Sequence, residues 1–193
     1  GDRLENLEKM INAVEETQKR GLNRAEHRLH LRCELPHPTT LPLFEKLVGR
    51  EPVSMVSLMD HSPGQRQYAD RRKYRDYYQG KYHLTNEEMD TFEEEQMALA
   101  AAWSQPNRQR IAAICRERNI ALASHDDATC EHVLESRQLG SVIAEFPTTI
   151  AAAEASRQYG MNVLMGAPNI VRGGSHSGNV AAHHLAASGL LDI

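Results

Sequence analysis

Apolar runs recur at wide intervals along the chain, and most of them are continuous rather than alternating with polar residues. The five runs cover 29–35, 53–59, 120–124, 142–146 and 162–165. Continuous apolar runs of this length are typical of strands that are buried on both faces of a parallel sheet. The pattern therefore predicts five buried strands.

Helical patterns with recognisable ends lie between these runs. A capping-box sequence at 85–88 predicts a helix that runs to about residue 103 and that Pro106 ends. Asn107 is then predicted to cap the next helix, which reaches Arg118.

Two further helices have boundaries of the same kind. Asp127 is predicted to cap a helix that ends at Gly140, and a helix opened by Thr148 or Thr149 ends at Gly160. Each link between helix and strand is then only a few residues long, as in compact α/β units.

With an amphipathic helix predicted over the first 20 residues, helices and strands alternate, and one polar insertion interrupts them at about 64–106. This alternation indicates an α/β fold with a parallel sheet and right-handed crossovers. The last three strands start 20 to 22 residues apart, which suits a (β/α)8 barrel. A complete barrel takes about 250 residues, so five strands predict either a smaller open sheet or part of a barrel. Residues 190–193 resemble the start of another strand.

Composition narrows the class of protein. The 193 residues are 40% hydrophobic and 25% charged, which is typical of about one globular domain. The net charge of −4 gives no basic excess for binding nucleic acid or an anionic membrane. No apolar run approaches the roughly 18 residues of a membrane span, and the first residues do not resemble a signal peptide.

The three cysteines, Cys33, Cys115 and Cys130, are far apart and form no CxxC pattern. We expect reduced thiols in a cytoplasmic protein rather than a disulfide framework or a thiolate zinc site. Cys115 is expected in the core. The sequence does not fix an oligomeric state, and a homo-oligomer is compatible with it.

Polar residues follow several of the predicted strands. The first strand ends at Glu34, the second runs into His61 and the third into His125. Active sites form at the carboxyl ends of parallel strands, and imidazole with carboxylate suits Zn²⁺, Mn²⁺ or Fe²⁺ with a position open for water. The alternative is that each histidine is an ordinary hydrogen-bonded surface residue.

Two segments have the composition of anion-binding sites. The stretch 172–179 is rich in glycine and serine, so its backbone N–H groups could approach an anion, although it lacks the Walker A ending. Arginines at 66, 71 and 72 follow His61 closely and could bind phosphate oxygens in pairs. The alternatives are an ordinary glycine-rich loop and a basic surface helix. His183 and His184 are expected to pack rather than to catalyse.

Four segments, 29–34, 59–67, 123–129 and 166–177, closely resemble the PhnM family of phosphonate utilisation, in the amidohydrolase superfamily. The resemblance covers nearly the whole chain. It implies a metal-dependent (β/α)8 hydrolase, a diphosphatase that converts α-D-ribose 1-methylphosphonate 5-triphosphate into the 5-phosphate and diphosphate. Residues 1–193 would then be the central part of one TIM-barrel domain, from about strand four to strand seven.

The resemblance also implies roles for single residues. Glu34 would be the bridging metal ligand of strand four, and His61 and His125 the metal histidines of strands five and six. The base, an aspartate of strand eight, would follow Ile193, so the chain resembles an internal fragment that is inactive alone. The candidate substrate-binding residues are Gln65, Arg66, Arg71, Arg72, Asp126, Asp127, Asn169, Arg172, Gly173, Gly174, Ser175 and His176.

Two other functions stay open at this point. One is a different amidohydrolase reaction, such as deamination or cyclic-amide hydrolysis, which the arginine-rich and glycine-rich features disfavour. The other is a noncatalytic subunit of a phosphonate-processing assembly. Histidine and glutamate bind several divalent ions, so the identity of the metal is not fixed either.

Overall fold

The computed structural model describes residues 2–175 and 178–193. The strands are β1 (Leu29–Glu34), β2 (Val53–Met59), β3 (Ala121–His125), β4 (Ile143–Glu145) and β5 (Asn162–Leu164). The helices are α1 (Asp2–Lys19), α2 (Thr40–Leu47), α3 (Arg71–Tyr82), α4 (Asn86–Glu117), α5 (Cys130–Gln138), α6 (Ile150–Gln158), α7 (Ala167–Val171) and α8 (Ala182–Ala187), with a 3₁₀ turn at Arg66–Tyr68. None of the helices in the described ranges is long and apolar enough to cross a membrane.

The five strands form one parallel sheet in the order β1-β2-β3-β4-β5. The predicted strands and the predicted parallel α/β class are therefore confirmed. The register aligns the carboxyl ends of neighbouring strands, because Glu34 pairs with Met59 and His125 pairs with Glu145. Side chains that leave these strand ends consequently meet at one edge of the sheet.

The sheet buries one face under helices and carries polar side chains on the other. Val56, Leu58 and Leu122 belong to an apolar cluster with residues of α2 and α4, among them Cys115, which lies in the core as predicted. Successive side chains of a strand point to opposite faces. The opposite face of β1 carries His30, whose Nε2 lies 2.8 Å from Ser57 Oγ.

The predicted end of a helix at Pro106 is wrong, because α4 continues through this residue from Asn86 to Glu117. A proline inside a helix removes one i to i−4 hydrogen bond and usually kinks or breaks the helix. Beyond Pro106, Ile111 and Cys115 are almost fully buried against the sheet. Tertiary packing of this second half outweighs the local preference to stop. The predicted capping box is present, since Thr85 Oγ1 accepts from the Glu88 backbone at 3.3 Å.

Two predicted helix caps are also wrong. Asn107 lies inside α4, where its amide donates to the backbone oxygens of Leu35 at 2.8 Å and His37 at 3.1 Å. Thr129 rather than Asp127 caps α5, because the Asp127 carboxylate is buried in an ion pair.

The remaining caps agree with the sequence. Thr149 caps α6, and its side chain accepts from the backbone of Ala152 at 3.0 Å. Gly140 and Gly160 follow α5 and α6 with φ of +100° and +70°, a left-handed conformation that favours glycine.

Residues 190–193, which resemble the start of a strand in the sequence, form no strand in the structure, but their backbone bonds to β5 and the residue after it. The Met165 backbone donates to Ile193 O at 2.8 Å, and the Asp192 backbone donates to Val163 O at 3.0 Å. The Asp192 carboxylate also accepts from the Val163 backbone at 2.8 Å. The edge of β5 is therefore paired along this stretch.

Candidate metal centre and anion-binding cleft

Three side chains meet at the carboxyl ends of β2 and β3. His61 follows β2, His125 ends β3 and Asp126 follows it; one potential ligand atom from each lies within 4.8 Å of the others. The two imidazole rings meet edge to face with centroids 5.4 Å apart. Among the described residues this is the group of histidine, cysteine and carboxylate side chains that could hold a metal ion.

Left-handed backbone at two strand ends shapes this group. Asp126 has φ +58° and Phe146, directly after β4, has φ +56°. Such values are uncommon outside glycine and persist only where the surroundings enforce them. Here hydrogen bonds to the neighbouring strands enforce these values. The Asp126 backbone donates to Glu145 O and the Phe146 backbone donates to Leu164 O, both at 2.9 Å. The Phe146 ring closes one side of the group, 5.2 Å from the His125 ring.

Glu34 fixes the orientation of His61. One carboxylate oxygen of Glu34 lies 2.6 Å from His61 Nδ1, and the other accepts from the His61 backbone N–H at 3.1 Å. A carboxylate on one ring nitrogen sets the tautomer and leaves the other nitrogen for a ligand. His61 Nε2 lies 3.5 Å from Asp126 Oδ2.

The Arg32 side chain contacts the ring of His125. The Arg32 guanidinium lies 2.8 Å from His125 Nε2. The other nitrogen, Nδ1, is buried and lies 3.0 Å from Asp126 Oδ2. A guanidinium can only donate, so Nε2 accepts from Arg32 and a neutral ring carries its proton on Nδ1, which faces the Asp126 carboxylate.

The electrostatics of the group favour a positive charge at its centre. Burial alone would lower the pKa of His61, but hydrogen bonds and charges from Asp126 and Glu34 outweigh it and raise the pKa to about 10. Burial would raise the pKa of Asp126, but His125 and His61 lower it to about 2. A divalent cation requires neutral imidazole and would replace the His61 proton. Two imidazoles and a carboxylate suit Zn²⁺, Mn²⁺ or Fe²⁺, so the residues present fit such an ion.

A cleft of about 750 Å³ opens over this group. It extends from the strand ends to α3 on one side and to residues 166–175 and 179–180 on the other. Its lining includes the following residues: Arg32, His61, Tyr68, Lys73, Asp76, Tyr77, Tyr78, Lys81, His125, Asp126, Phe146, Asn169, Arg172, Gly174, Ser175 and Asn179. Metal-type ligands and basic side chains therefore share one cavity.

The structure brings five of the twelve candidate substrate-binding residues to the cleft. These five are Asp126, Asn169, Arg172, Gly174 and Ser175. The Asn169 side chain is engaged with backbone groups that precede α8 and begin it. It donates to Val180 O at 3.3 Å and accepts from the Ala182 backbone at 2.9 Å. Asp126, predicted as a substrate-binding residue, lies within the metal-type group itself.

The other candidates lie outside the cleft lining or outside the described residues. Arg66 and Asp127 are buried as an ion pair, with 2% and 1% of their side chains exposed. Arg71 donates to Glu93 at 2.6 Å, and the Arg72 side chain is 89% exposed beside Asp70. The remaining three are Gln65 and Gly173, both exposed, and His176, which lies outside the described residues.

Several lining residues were missed from the sequence. Lys73, Tyr77 and Lys81 of α3 line the cleft, as does Arg32. Their spacing of four residues indicates one helix face, but nothing local shows that α3 lies over the strand ends. His183 and His184, expected to pack, are exposed on α8 because Ala182 and Leu185 take the buried positions there.

The comparison with known proteins agrees with the predicted resemblance. The chain is 81% identical over all 193 of its residues to the α-D-ribose 1-methylphosphonate 5-triphosphate diphosphatase of Escherichia coli (strain K12). The match covers 51% of that protein, so the chain spans about half the length of this relative. No protein-family profile matches the chain. No solved structure matches it.

Proposed function

We propose that the protein is a metal-dependent diphosphatase that hydrolyses α-D-ribose 1-methylphosphonate 5-triphosphate to the 5-phosphate and diphosphate. The observation that carries the proposal is the cleft, which joins a histidine–carboxylate group to four basic side chains. Phosphoryl transfer is catalysed mainly by positioning and by neutralising charge, and both requirements are met by such a cavity. The similarity to the E. coli diphosphatase supports the same reaction.

We also propose that the sheet is an arc of a (β/α)8 barrel, from about strand four to strand seven, and that residues 1–193 belong to one domain. The strands are all parallel and follow one another in sequence order without a reversal, as barrel strands do. An open doubly wound sheet reverses its strand order at the ligand crevice instead. The candidate site lies at the carboxyl ends of the strands, which is where barrel enzymes place their chemistry.

His61 and His125 are the proposed metal ligands, with Asp126 or Glu34 as the carboxylate ligand. When bound, a divalent cation there would lower the pKa of a coordinated water and neutralise phosphoryl oxygens. Glu34 orients the His61 ring through its contact with Nδ1. Arg32 donates to His125 Nε2, so it would have to release this nitrogen for His125 to bind the metal through it. Arg172, at the end of α7, would bind phosphate oxygens of the substrate.

The test measures bound metal and reaction products in the longest natural polypeptide that carries this sequence. We expect about one equivalent or more of divalent metal, and equal amounts of diphosphate and 5-phosphate from the triphosphate substrate. His61→Ala and His125→Ala should each lose metal and activity, because the ligand group is broken. His27→Ala removes an exposed histidine remote from the cleft and is the matched control.

Other results would contradict the proposal. Unchanged metal content in both histidine variants would favour a noncatalytic subunit. Full metal content with no diphosphate release, but turnover of a cyclic amide or an aminated ring, would favour another amidohydrolase reaction.

We propose a cytoplasmic location, which the three free cysteines support.

A further inference from the structure

We infer that Arg108 positions the candidate metal centre through an ionic network that ties together the loops after β2 and β3. The network consists of five charged side chains, Asp60, Arg108, Glu135, Arg66 and Asp127. The inference rests on the metal centre of the proposed function and adds a positioning residue to it. None of the five is among the described residues that line the cleft, so the network acts on the centre indirectly.

Each end of the network is the sequence neighbour of a metal-type ligand. Asp60 directly precedes His61, and Asp127 directly follows Asp126. His61 and Asp126 line the cleft, whereas the two neighbouring aspartates are almost fully buried. Because consecutive Cα atoms are held about 3.8 Å apart, a movement of either aspartate also moves the ligand residue beside it.

The Asp60 carboxylate fixes the turn that contains His61. Its Oδ1 accepts from the Ser62 hydroxyl at 2.6 Å and from the Ser62 backbone at 3.2 Å, an arrangement that stabilises turns. Its Oδ2 lies 3.5 Å from Arg108 Nη2. Asp60 therefore closes the turn and connects it to α4, while Glu34 holds the ring and the backbone of His61.

The Asp127 carboxylate holds the loop after β3 in a similar way. It is ion-paired with Arg66 and accepts from the Ser136 hydroxyl of α5 at 3.4 Å. The backbone oxygen of Asp127 accepts from the Thr148 backbone at 2.9 Å. The residue next to the Asp126 ligand is thus fixed by contacts to three other segments of the protein.

Glu135 of α5 joins the two halves of the network. Its Oε2 accepts a hydrogen bond from Arg66 Nη2 at 3.0 Å. Its Oε1 lies 3.9 Å from Arg108 Nε, which is a contact between charges rather than a hydrogen bond. The network is therefore continuous from one ligand loop to the other.

Arg108 connects this network to the core of the fold. It is 4% exposed and lies in the half of α4 that packs against the sheet, where Ile111 and Cys115 are almost fully buried. A packed helix gives the side chain a fixed origin, and a guanidinium presents its donors in one rigid plane. Arg108 is thus suited to set the position of the His61 turn relative to α5.

The energetics of buried charges favour positioning over a purely stabilising role. Apolar side chains of similar volume often stabilise a fold as well as a buried ion pair does, because burying charges costs solvation free energy. Ionic groups do impose defined directions, since each charge must face its partner. Substitution of residues that orient metal ligands typically costs about 10–100-fold in metal affinity or activity.

The test measures Zn²⁺ affinity by competition with a chromophoric chelator, and the visible spectrum of the Co²⁺-loaded protein, in the longest natural polypeptide that carries this sequence. Arg108→Met and Glu135→Gln should each weaken Zn²⁺ binding about tenfold and change the Co²⁺ spectrum, because the spacing of the ligands changes. Arg108→Lys, which keeps the charge but not the planar fork, should give an intermediate loss.

Two features of this set keep the test decisive. Arg108→Met leaves a buried aspartate without its cation and can prevent folding, whereas the Glu135 side chain is 40% exposed, so its substitution is milder. Glu154→Gln removes an exposed carboxylate from α6 and is the matched control, which should bind Zn²⁺ like the parent.

The signs of the effects separate positioning from long-range electrostatics. Loss of the Arg108 charge alone would reduce repulsion of a bound cation and tighten Zn²⁺ binding, whereas loss of the Glu135 charge would weaken it. Positioning predicts weaker binding in both variants. A purely structural role would lower the melting temperature without changing the Co²⁺ spectrum of the folded protein.

The inference and the proposed function can fail separately. The inference is overturned if Arg108→Lys and Glu135→Gln bind Zn²⁺ as the parent does with an unchanged Co²⁺ spectrum, or if Arg108→Met binds it more tightly. The proposed function stands in either case if the parent releases diphosphate. Weakened metal binding in the variants of a parent that releases no diphosphate would leave the inference intact and contradict the proposed reaction. A parent that binds no Zn²⁺ would contradict both.

Discussion

Removing the Arg66 guanidinium should destabilise the fold strongly rather than weaken ligand binding. Arg66 is 2% exposed and ion-paired with Asp127, and its Nη2 lies 3.0 Å from Glu135 Oε2. Burial, together with the nearby charge of Arg108, lowers the pKa of Arg66 to about 10. Arg66→Met leaves Asp127, which is almost fully buried, without its cation.

Breaking a buried ion pair by removing one partner typically costs about 3–5 kcal/mol. With a urea m value of about 2 kcal/mol/M, a loss of about 4 kcal/mol lowers the midpoint of unfolding by about 2 M. The measurement is equilibrium urea unfolding at 25 °C and pH 7. Arg72→Met, which removes an 89% exposed side chain, should change stability by less than about 0.5 kcal/mol.

A double variant separates the ion pair from simple loss of packing. Arg66→Met with Asp127→Asn leaves no unpaired buried charge, so it should recover part of the lost free energy of unfolding. The reasoning is refuted if Arg66→Met loses less than about 1 kcal/mol while triphosphate binding falls tenfold. That result would show that Arg66 faces the ligand, as the sequence alone predicts.

Three further predictions concern groups outside the cleft. Burial raises the pKa of the Cys33 and Cys115 thiols to about 12. At pH 8 a thiol reagent should therefore label the exposed Cys130 rapidly and the two buried cysteines only on unfolding, as mass spectrometry can show. Burial would raise the pKa of Glu93, but its two arginine partners lower it below the ordinary value. These ion pairs therefore stabilise the fold above the pKa that Glu93 has in the unfolded chain, and the stabilisation is lost as pH falls through the lower pKa of the folded state. Glu93→Gln should flatten the fall of the melting temperature below about pH 4.5, and an unchanged acid profile would contradict this reasoning. Asn107→Leu removes the amide that donates to Leu35 O and His37 O, and only His37 O keeps a second donor, the Thr40 backbone N–H. The substitution should cost about 1–3 kcal/mol in urea unfolding, whereas a loss below about 0.5 kcal/mol would show that these bonds add little.

The strands were predictable because their signal is local. A continuous apolar run between turn residues gives both the existence and the approximate ends of a buried strand, as β2 shows at Val53–Met59. The end of α4 was not predictable in the same way. Pro106 is a strong local stop signal, and only the sheet against which residues 111–115 pack outweighs it.

The histidines of the site were predictable for a similar reason. Strand ends in a parallel sheet converge, so residues that follow β2 and β3 must lie near one another, and His61 and His125 do. The contribution of Asp126 was less clear from sequence, because the direction of its side chain depends on a left-handed turn after β3. That turn is fixed by the hydrogen bond from Asp126 to the neighbouring strand, which is a tertiary contact.

The basic segment after β2 shows why residue type alone does not assign a binding role. Within a few turns the chain places Arg66 in a buried ion pair, Arg71 against Glu93, Arg72 in solvent and Lys73 in the cleft. Each position has the same formal charge, so composition cannot distinguish them. The distinction follows from what each side chain contacts. An arginine whose hydrogen bonds go to a buried carboxylate is not available to bind a substrate. In this protein Lys73 and Lys81 of α3 line the cleft, whereas Arg71 and Arg75 of the same helix contact Glu93 of α4.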